Sequence, residues 1–292
     1  MSNTTVGLIG LGLVGSALVE RFTAAGFTVV GFDIASERRS SCAKLGGCPV
    51  DSPAAVAAEC DRIVFSLPTS DVVAAVVEQM ANSLRPGSTI VDTTTGSPDA
   101  AERVGSQLAA RGLQYLDATI VGSSEQVRQR DVIVLVGGDR STAEACRDLF
   151  ACVAKQWFHL GPTGSGARMK LVVNLVLGLN RAALAEGLAF ARACGLDLAE
   201  TLRVLQAGAA YSRCMDSKGI RMIEQSFTPP QARLSQHLKD VRLILAEASR
   251  VGQQLPLSAI HRELLAQVES AGWGEADNAA IIKSMDSQRR SG

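Results

Sequence analysis

The chain has 292 residues, 47% of them hydrophobic and 20% charged, a balance typical of ordinary globular proteins and not of disordered ones. Lys+Arg and Asp+Glu both number 29, so the net charge is zero, which speaks against nucleic acid or an anionic membrane as a partner. The length predicts two domains or one large one, since a single domain usually takes about 100–200 residues.

Seven cysteines, an odd number with no C-x-x-C pair, argue against both a disulfide framework and a zinc site. His159, His237 and His261 have no second ligand nearby in sequence, so structural or surface roles are expected and no metal. Reduced thiols fit a cytoplasmic protein. Residues 6–19 have the apolarity of a signal-peptide core, but no Lys or Arg precedes them and four glycines interrupt them. Asn3-Thr4-Thr5 fits the glycosylation pattern and is read as coincidence.

The first half alternates two periods. Residues 6–9 read as a buried strand ending in glycines, 16–25 as a helix stopped by Gly26, and 28–32 as a second strand ending at Asp33. Further strand-like runs lie at 63–67, 88–91, 115–118 and 132–136, with helical patterns at 72–84 and 100–111. This rhythm predicts parallel strands with helices on both faces. After Gly161-Pro162 the chain reads as helix after helix. From Met169 to Leu179 there is hardly a polar face, which predicts a helix buried all round. Later helical patterns run at 198–207, 232–249 and 257–269. The expected domains are an α/β unit over 1–162 and an all-α unit over 163–292.

Gly10-Leu11-Gly12-Leu13-Val14-Gly15 is G-x-G-x-x-G, placed after a predicted strand and opening a helix, with Asp33 at the end of the next strand. That context is the dinucleotide fingerprint of a Rossmann domain. Gly10 permits the tight turn, Gly12 lets the backbone approach a pyrophosphate, and Gly15 brings helix and strand together. The Asp33 carboxylate suits ribose hydroxyls and repels a 2′-phosphate, which favours NAD, while nearby Arg38 and Arg39 keep NADP open. Two loops beyond strand ends, Leu67-Pro68-Thr69-Ser70 and 92–98 with Thr94 and Thr95, suit ribose and nicotinamide contacts; ordinary turn and cap chemistry explains them equally. Lys170 and Asn174, at i and i+4, share a face of the apolar helix, and Gly178 continues the stripe. A lysine there is costly unless paired or lowered in pKa, as a general acid/base requires; a lysine reaching the surface from the helix end fits the same spacing.

The chain resembles the β-hydroxyacid dehydrogenases, which include 3-hydroxyisobutyrate dehydrogenases and glyoxylate and semialdehyde reductases. The resemblance is carried by the glycine motif, both loops, Gly164-Ser165-Gly166 leading to Lys170 and Asn174, Lys239-Asp240 and the segment 274–280. It implies hydride transfer between a nicotinamide cofactor and a small 3-hydroxyacid or its semialdehyde. Lys170 would be the general acid/base, Asn174 would orient the substrate, and Lys239 would lie near nicotinamide and substrate. It further implies a homodimer or homotetramer. One departure bears on substrate: the family's D-x-P-V-S-G-G loop reads Asp117 to Ser123 here, with Val121 where the family places a serine. Backbone N–H groups of Gly122 and Ser123, or the Ser123 and Ser124 hydroxyls, would then bind the substrate anion. An imine reductase shares the two-domain plan but usually replaces the lysine. A non-catalytic dinucleotide-binding or redox-sensing protein is the alternative of a different class.

Overall fold

The expected alternation folds as a mostly parallel sheet covered by helices, followed by an all-α unit. The computed structural model describes residues 4–286, so Asn3 of the glycosylation-like triplet lies outside the described residues. The chain divides into two compact units, Met1–Lys170 and Leu171–Gly292.

In the first unit the strands are β1 (Thr5–Ile9), β2 (Thr28–Phe32), β3 (Cys48–Pro49), β4 (Arg62–Phe65), β5 (Thr89–Asp92), β6 (Gln114–Val121), β7 (Ile133–Gly137) and β8 (Gln156–His159). The helices are α1 (Leu13–Ala24), α2 (Ser36–Lys44), α3 (Pro53–Glu59), α4 (Ser70–Met80), α5 (Pro98–Ala109), α6 (Ser124–Arg128), α7 (Arg140–Ala145) and α8 (Arg147–Val153). The sheet order is β3-β2-β1-β4-β5-β6-β7-β8. Neighbours are parallel except β6 and β7, which run antiparallel, with Asp117 opposite Gly137 and Val121 opposite Ile133. That corrects the all-parallel expectation. Residues 122–132 hold only the one-turn-and-a-half α6, too little chain to cross the sheet and return in the same direction.

Alternate side chains of each strand point to opposite faces, and each face has its own core. Leu8, Val64 and Leu116 pack with Leu18, Phe22, Leu149 and Phe150 on one side. On the other, Ile9, Ile63, Phe65 and Tyr115 pack with Val56, Val73, Met80 and Leu108.

The second unit begins within α9 (Ser165–Ala193) and continues through α10 (Leu198–Ala207), α11 (Cys214–Ile223), α12 (Leu234–Arg250), α13 (Pro256–Val268), a 3-10 turn (Asn278–Ile282) and α14 (Lys283–Asp286). Leu184, Leu188, Leu238, Val241, Leu265 and Ile281 form its core. A buried ion pair ties it together. Asp277 is fully buried, accepts from Lys218 Nζ at 2.9 Å through both oxygens, and takes the backbone N–H groups of Gln231 (2.7 Å) and Ala279 (3.0 Å).

The expectation that α9 is buried all round does not hold. Met169, Val172, Val176, Leu177 and Phe190 are exposed, with Val172 at 54% and Phe190 at 71%. Apolarity around the full circle of a helix does not by itself bring burial, which depends on neighbouring elements that here cover only part of the circle. By length and composition α9 is long and apolar enough to cross a membrane. The charged and polar groups on its buried stripe, Lys170, Asn174 and Arg181, mark it as a core helix instead.

Candidate active site

The glycine loop is built as the motif requires. Gly10 has φ +94, and a Cβ there would stand 2.2 Å from the Ser66 carbonyl oxygen. A Cβ on Gly15 would stand 2.0 Å from the Gly10 oxygen, so helix α1 can approach the turn only without one. Gly12 differs: its nearest neighbour to a built Cβ is Arg38, 3.9 Å away. The protein therefore leaves that space open. Gly12 is also the N-cap of α1, which has no side-chain cap and no acidic residue in its first turn. Its N-terminal N–H groups and positive dipole end are thus left for an external anion, as a pyrophosphate would provide. Leu11 and Val14 lie under the loop, while Leu13 projects at 78% exposure.

Asp33 is 5% exposed and already occupied on the protein side. Its Oδ2 accepts from Leu11 N (2.8 Å) and Arg38 Nη1 (3.3 Å), and its Oδ1 from Ala35 N (2.9 Å). The carboxylate thus fastens the glycine loop to the end of β2. Arg39 Nη1 donates to the Asp33 carbonyl at 2.7 Å.

The two hydroxyl-rich loops are tied to each other. Thr94 Oγ1 accepts from Leu67 N at 3.3 Å, and Ser70 Oγ accepts from Ser97 N at 3.0 Å. Thr69 caps α4 and Ser97 caps α5, so the cap chemistry legible in the sequence is present. Pro68 is exposed at the loop tip, and Thr95 is half-buried beside Thr94. Beneath them lies an acidic group that sequence reading missed. Asp92 accepts from Tyr115 Oη (2.7 Å) and Thr94 N (2.9 Å). Burial pushes the Asp92 carboxyl up, against those hydrogen bonds, and pushes the Tyr115 phenol well above its ordinary value. Asp117, paired with Asp92 in register across β5 and β6, is pushed up to about 6 by burial, opposed by the backbone N–H groups of Ala167 and Gly164.

In the substrate-loop segment the structure changes the expectation. Val121 ends β6 and Gly122 has φ +147. Ser123 caps α6 in a reciprocal box: its Oγ accepts from Gln126 N, and its own N–H donates to Gln126 Oε1 at 2.9 Å. The Ser123 N–H is therefore taken by the helix, while its hydroxyl, which only accepts there, keeps its O–H. Among the groups expected to replace the family serine, the Gly122 N–H and the Ser123 and Ser124 hydroxyls remain.

Lys170 is 9% exposed and Asn174 8% exposed, one turn apart on α9. In the all-α unit, Asn174 Nδ2 donates to Asp240 Oδ2 at 3.0 Å. That bond fixes the amide's orientation, with Nδ2 turned to Asp240. Lys239 is 28% exposed, with its ammonium 3.8 Å from Asp240 Oδ1. Further along the stripe, His237 and His261 close over Gly178, their ring centroids 5.2 Å apart. Local spacing gave no sign of this pair, because its members lie on different helices.

Residues 5–161 match the family described as the NAD binding domain of 6-phosphogluconate dehydrogenase. Residues 164–285 match the one described as NAD-binding of NADP-dependent 3-hydroxyisobutyrate dehydrogenase. The chain belongs to the β-hydroxyacid dehydrogenase family. L-threonate dehydrogenase of Cupriavidus necator is 28% identical to this chain over 95% of both chains. The cytokine-like nuclear factor N-PAC of Aedes aegypti is 32% identical over 67% of this chain, a match that spans 35% of the N-PAC length. The solved 3-hydroxyisobutyrate dehydrogenase of Salmonella typhimurium superposes with a TM-score of 0.87 at 25% identity, covering 96% of this chain and 99% of that one.

Proposed function

We propose that the protein transfers a hydride between a nicotinamide dinucleotide and a small 3-hydroxyacid or its semialdehyde, with Lys170 as general acid/base. The observation that carries this reading is the buried Lys170 one helical turn before Asn174, whose amide Asp240 holds in one orientation. The open space at Gly12 and the uncapped start of α1 fit a dinucleotide pyrophosphate, with Asp33, Leu67, Pro68, Thr69, Thr94 and Thr95 along the rest of the cofactor. When bound, the nicotinamide is the hydride acceptor or donor.

In oxidation, the Lys170 amine takes the proton of the substrate hydroxyl as the C–H bond gives up its hydride and the carbonyl forms. In reduction, the Lys170 ammonium returns that proton to the developing alkoxide. Asn174 Oδ1, fixed by Asp240, orients the substrate hydroxyl. Gly122 N–H and the Ser124 hydroxyl take the substrate carboxylate where Val121 offers none. The Asp33 carboxylate favours NAD, because a 2′-phosphate would be set against it. Exposed Val172, Val176 and Phe190 support a homodimer or homotetramer, since apolar patches of this kind usually find cover.

The test is nicotinamide absorbance with purified protein, NAD or NADP, and a panel of 3-hydroxyacids, sugar acids, glyoxylate and small semialdehydes. Turnover with NAD on one compound class is the expected result. Dinucleotide binding without turnover on any compound would contradict it and favour a non-catalytic dinucleotide-binding protein, to which Val121 and the spent Ser123 N–H already point.

A further inference from the structure

Helix α9 starts without a cap of its own. The residue before Ser165 is Gly164, which has no side chain to accept a hydrogen bond and sits at φ +93. The missing acceptor comes from far away in the chain. Asp117, on β6 and 2% exposed, takes Gly164 N–H on Oδ1 at 2.8 Å and Ala167 N–H on Oδ2 at 2.7 Å. Those are the N-cap and third-position N–H groups, the same two donors that a local capping box satisfies with two side chains. A single remote carboxylate does both. Its negative charge also lies at the positive end of the helix dipole.

The rest of the contact is built for close approach. A Cβ on Gly166 would stand 2.5 Å from the backbone oxygens of Asp117 and Leu135. One on Gly137 would stand 2.5 Å from Asp117 Oδ1 and 2.9 Å from Gly166 N. Thr119 Oγ1 adds a hydrogen bond to the Gly166 carbonyl at 3.2 Å. The first turn of α9 is therefore pressed onto β6 and β7 and fastened there, and Lys170 follows Ala167 by three residues, about 4.5 Å of helix rise.

We infer that Asp117 is a positioning residue for the reaction: its carboxylate fixes the first turn of α9 on the sheet and so sets where Lys170 presents its amine. This rests on Lys170 being the general acid/base. The charged and titratable groups facing Asp117 are Asp92 on β5 and Tyr115 on β6, with Glu102 on α5 and Arg168 on α9 beside Gly164. Arg168 is itself engaged, 2.7 Å from Glu102. With the Asp117 carboxyl lifted to about 6, protonation below that pH converts one acceptor oxygen into a donor and releases one of the two N–H groups. Activity therefore has an acid limb near pH 6 that does not belong to the lysine.

The experiment compares the full-length wild type with Asp117→Asn. It reads three quantities: amide exchange of residues 164–167, the pH dependence of Lys170 acetylation by acetic anhydride, and the kcat–pH profile on the panel compound the wild type turns over best. Exchange at 164–167 is expected to rise about tenfold or more and the Lys170 labelling profile to move. The value of kcat should fall about 10- to 100-fold, as about 1 Å of misplacement can cause, with KM for the dinucleotide unchanged and the acid limb near pH 6 gone. If Asp117→Asn does not fold, Gly166→Ala lifts the same turn while keeping the carboxylate, and is expected to lower kcat but keep the acid limb. In the wild type alone, protection of residues 164–167 is expected to drop as pH falls through about 6. Faster exchange with unchanged Lys170 labelling and unchanged kcat would reduce Asp117 to a structural cap and overturn the inference. Turnover that survives Lys170→Ala would instead overturn the acid/base reading, while exchange and labelling would still report on the Asp117 clamp.

Discussion

Replacing His261 with Leu will reduce the stability that the protein loses in acid. His261, on α13, is 3% exposed, and its ring lies 5.2 Å from that of His237 on α12. Gly178 of α9 closes the space beneath them: a Cβ there would meet His237 Nε2 at 2.6 Å and His261 Cε1 at 2.8 Å. Both rings are buried, so an imidazolium there is poorly solvated. Burial first, and then the charge of Arg181, pull the His261 pKa from 6.5 to about 4. His237 is lowered as well, by burial, then Arg181, then His261. The unfolded chain takes up this proton near the ordinary 6.5 and the folded one only near 4, so between those values the unfolded state binds more protons. The stability from keeping His261 neutral is complete above about 6.5 and falls away as pH drops toward 4. At about 1.4 kcal/mol per pH unit, the loss from His261 is about 3 kcal/mol. Asp117 acts in the opposite sense, because its folded pKa of about 6 exceeds the ordinary 3.8 and favours the folded state as pH falls. The wild-type curve alone mixes both effects, whereas the difference between wild type and His261→Leu isolates one. Urea unfolding from about pH 7 to about pH 4 measures that difference, and the wild type should lose about 3 kcal/mol more than the variant. Equal losses would refute the reasoning.

Two further substitutions test other parts of the structure. Asp33→Asn keeps an acceptor for the Leu11 or Ala35 N–H but removes the charge, so the ratio of kcat/KM for NADP over NAD should rise about tenfold or more; an unchanged ratio with both cofactors still bound would contradict the assigned role. Lys218→Met leaves the Asp277 carboxylate buried without its cation and should cost about 3–5 kcal/mol in urea unfolding, while a cost below about 1 kcal/mol would show that the backbone N–H groups suffice.

Local chemistry made much of this legible. Glycines that tolerate no Cβ, a β-branched run ending in Asp33, and a lysine and asparagine four apart on an apolar helix are all patterns within a few residues, and the structure realises each one locally. What escaped depends on partners distant in the chain. The two hydrogen bonds of Asp117 reach 47 and 50 residues ahead, so no spacing announces them. The edge strands β3 and β8 were missed because one has two residues and the other, Gln156–His159, alternates exposed and half-buried positions, with Trp157 its one apolar side chain on the core. The antiparallel β6–β7 pair escaped because side-chain alternation reads the same in either direction. The Ser123 N–H reads as an anion donor in the sequence, whereas the structure gives it to Gln126 in a capping box. The apolar circumference of α9 reads as burial, although Met169, Val172, Val176, Leu177 and Phe190 stand exposed.

The central claim is that Lys170 moves the proton that accompanies hydride transfer. The most direct measurement is Lys170→Ala assayed for dinucleotide binding by fluorescence titration and for turnover on the compound the wild type uses best. The account predicts unchanged dinucleotide affinity and a kcat lower by about 10²–10⁴-fold, the usual contribution of a positioned acid/base group. Turnover within a few-fold of wild type, with affinity intact, would contradict it.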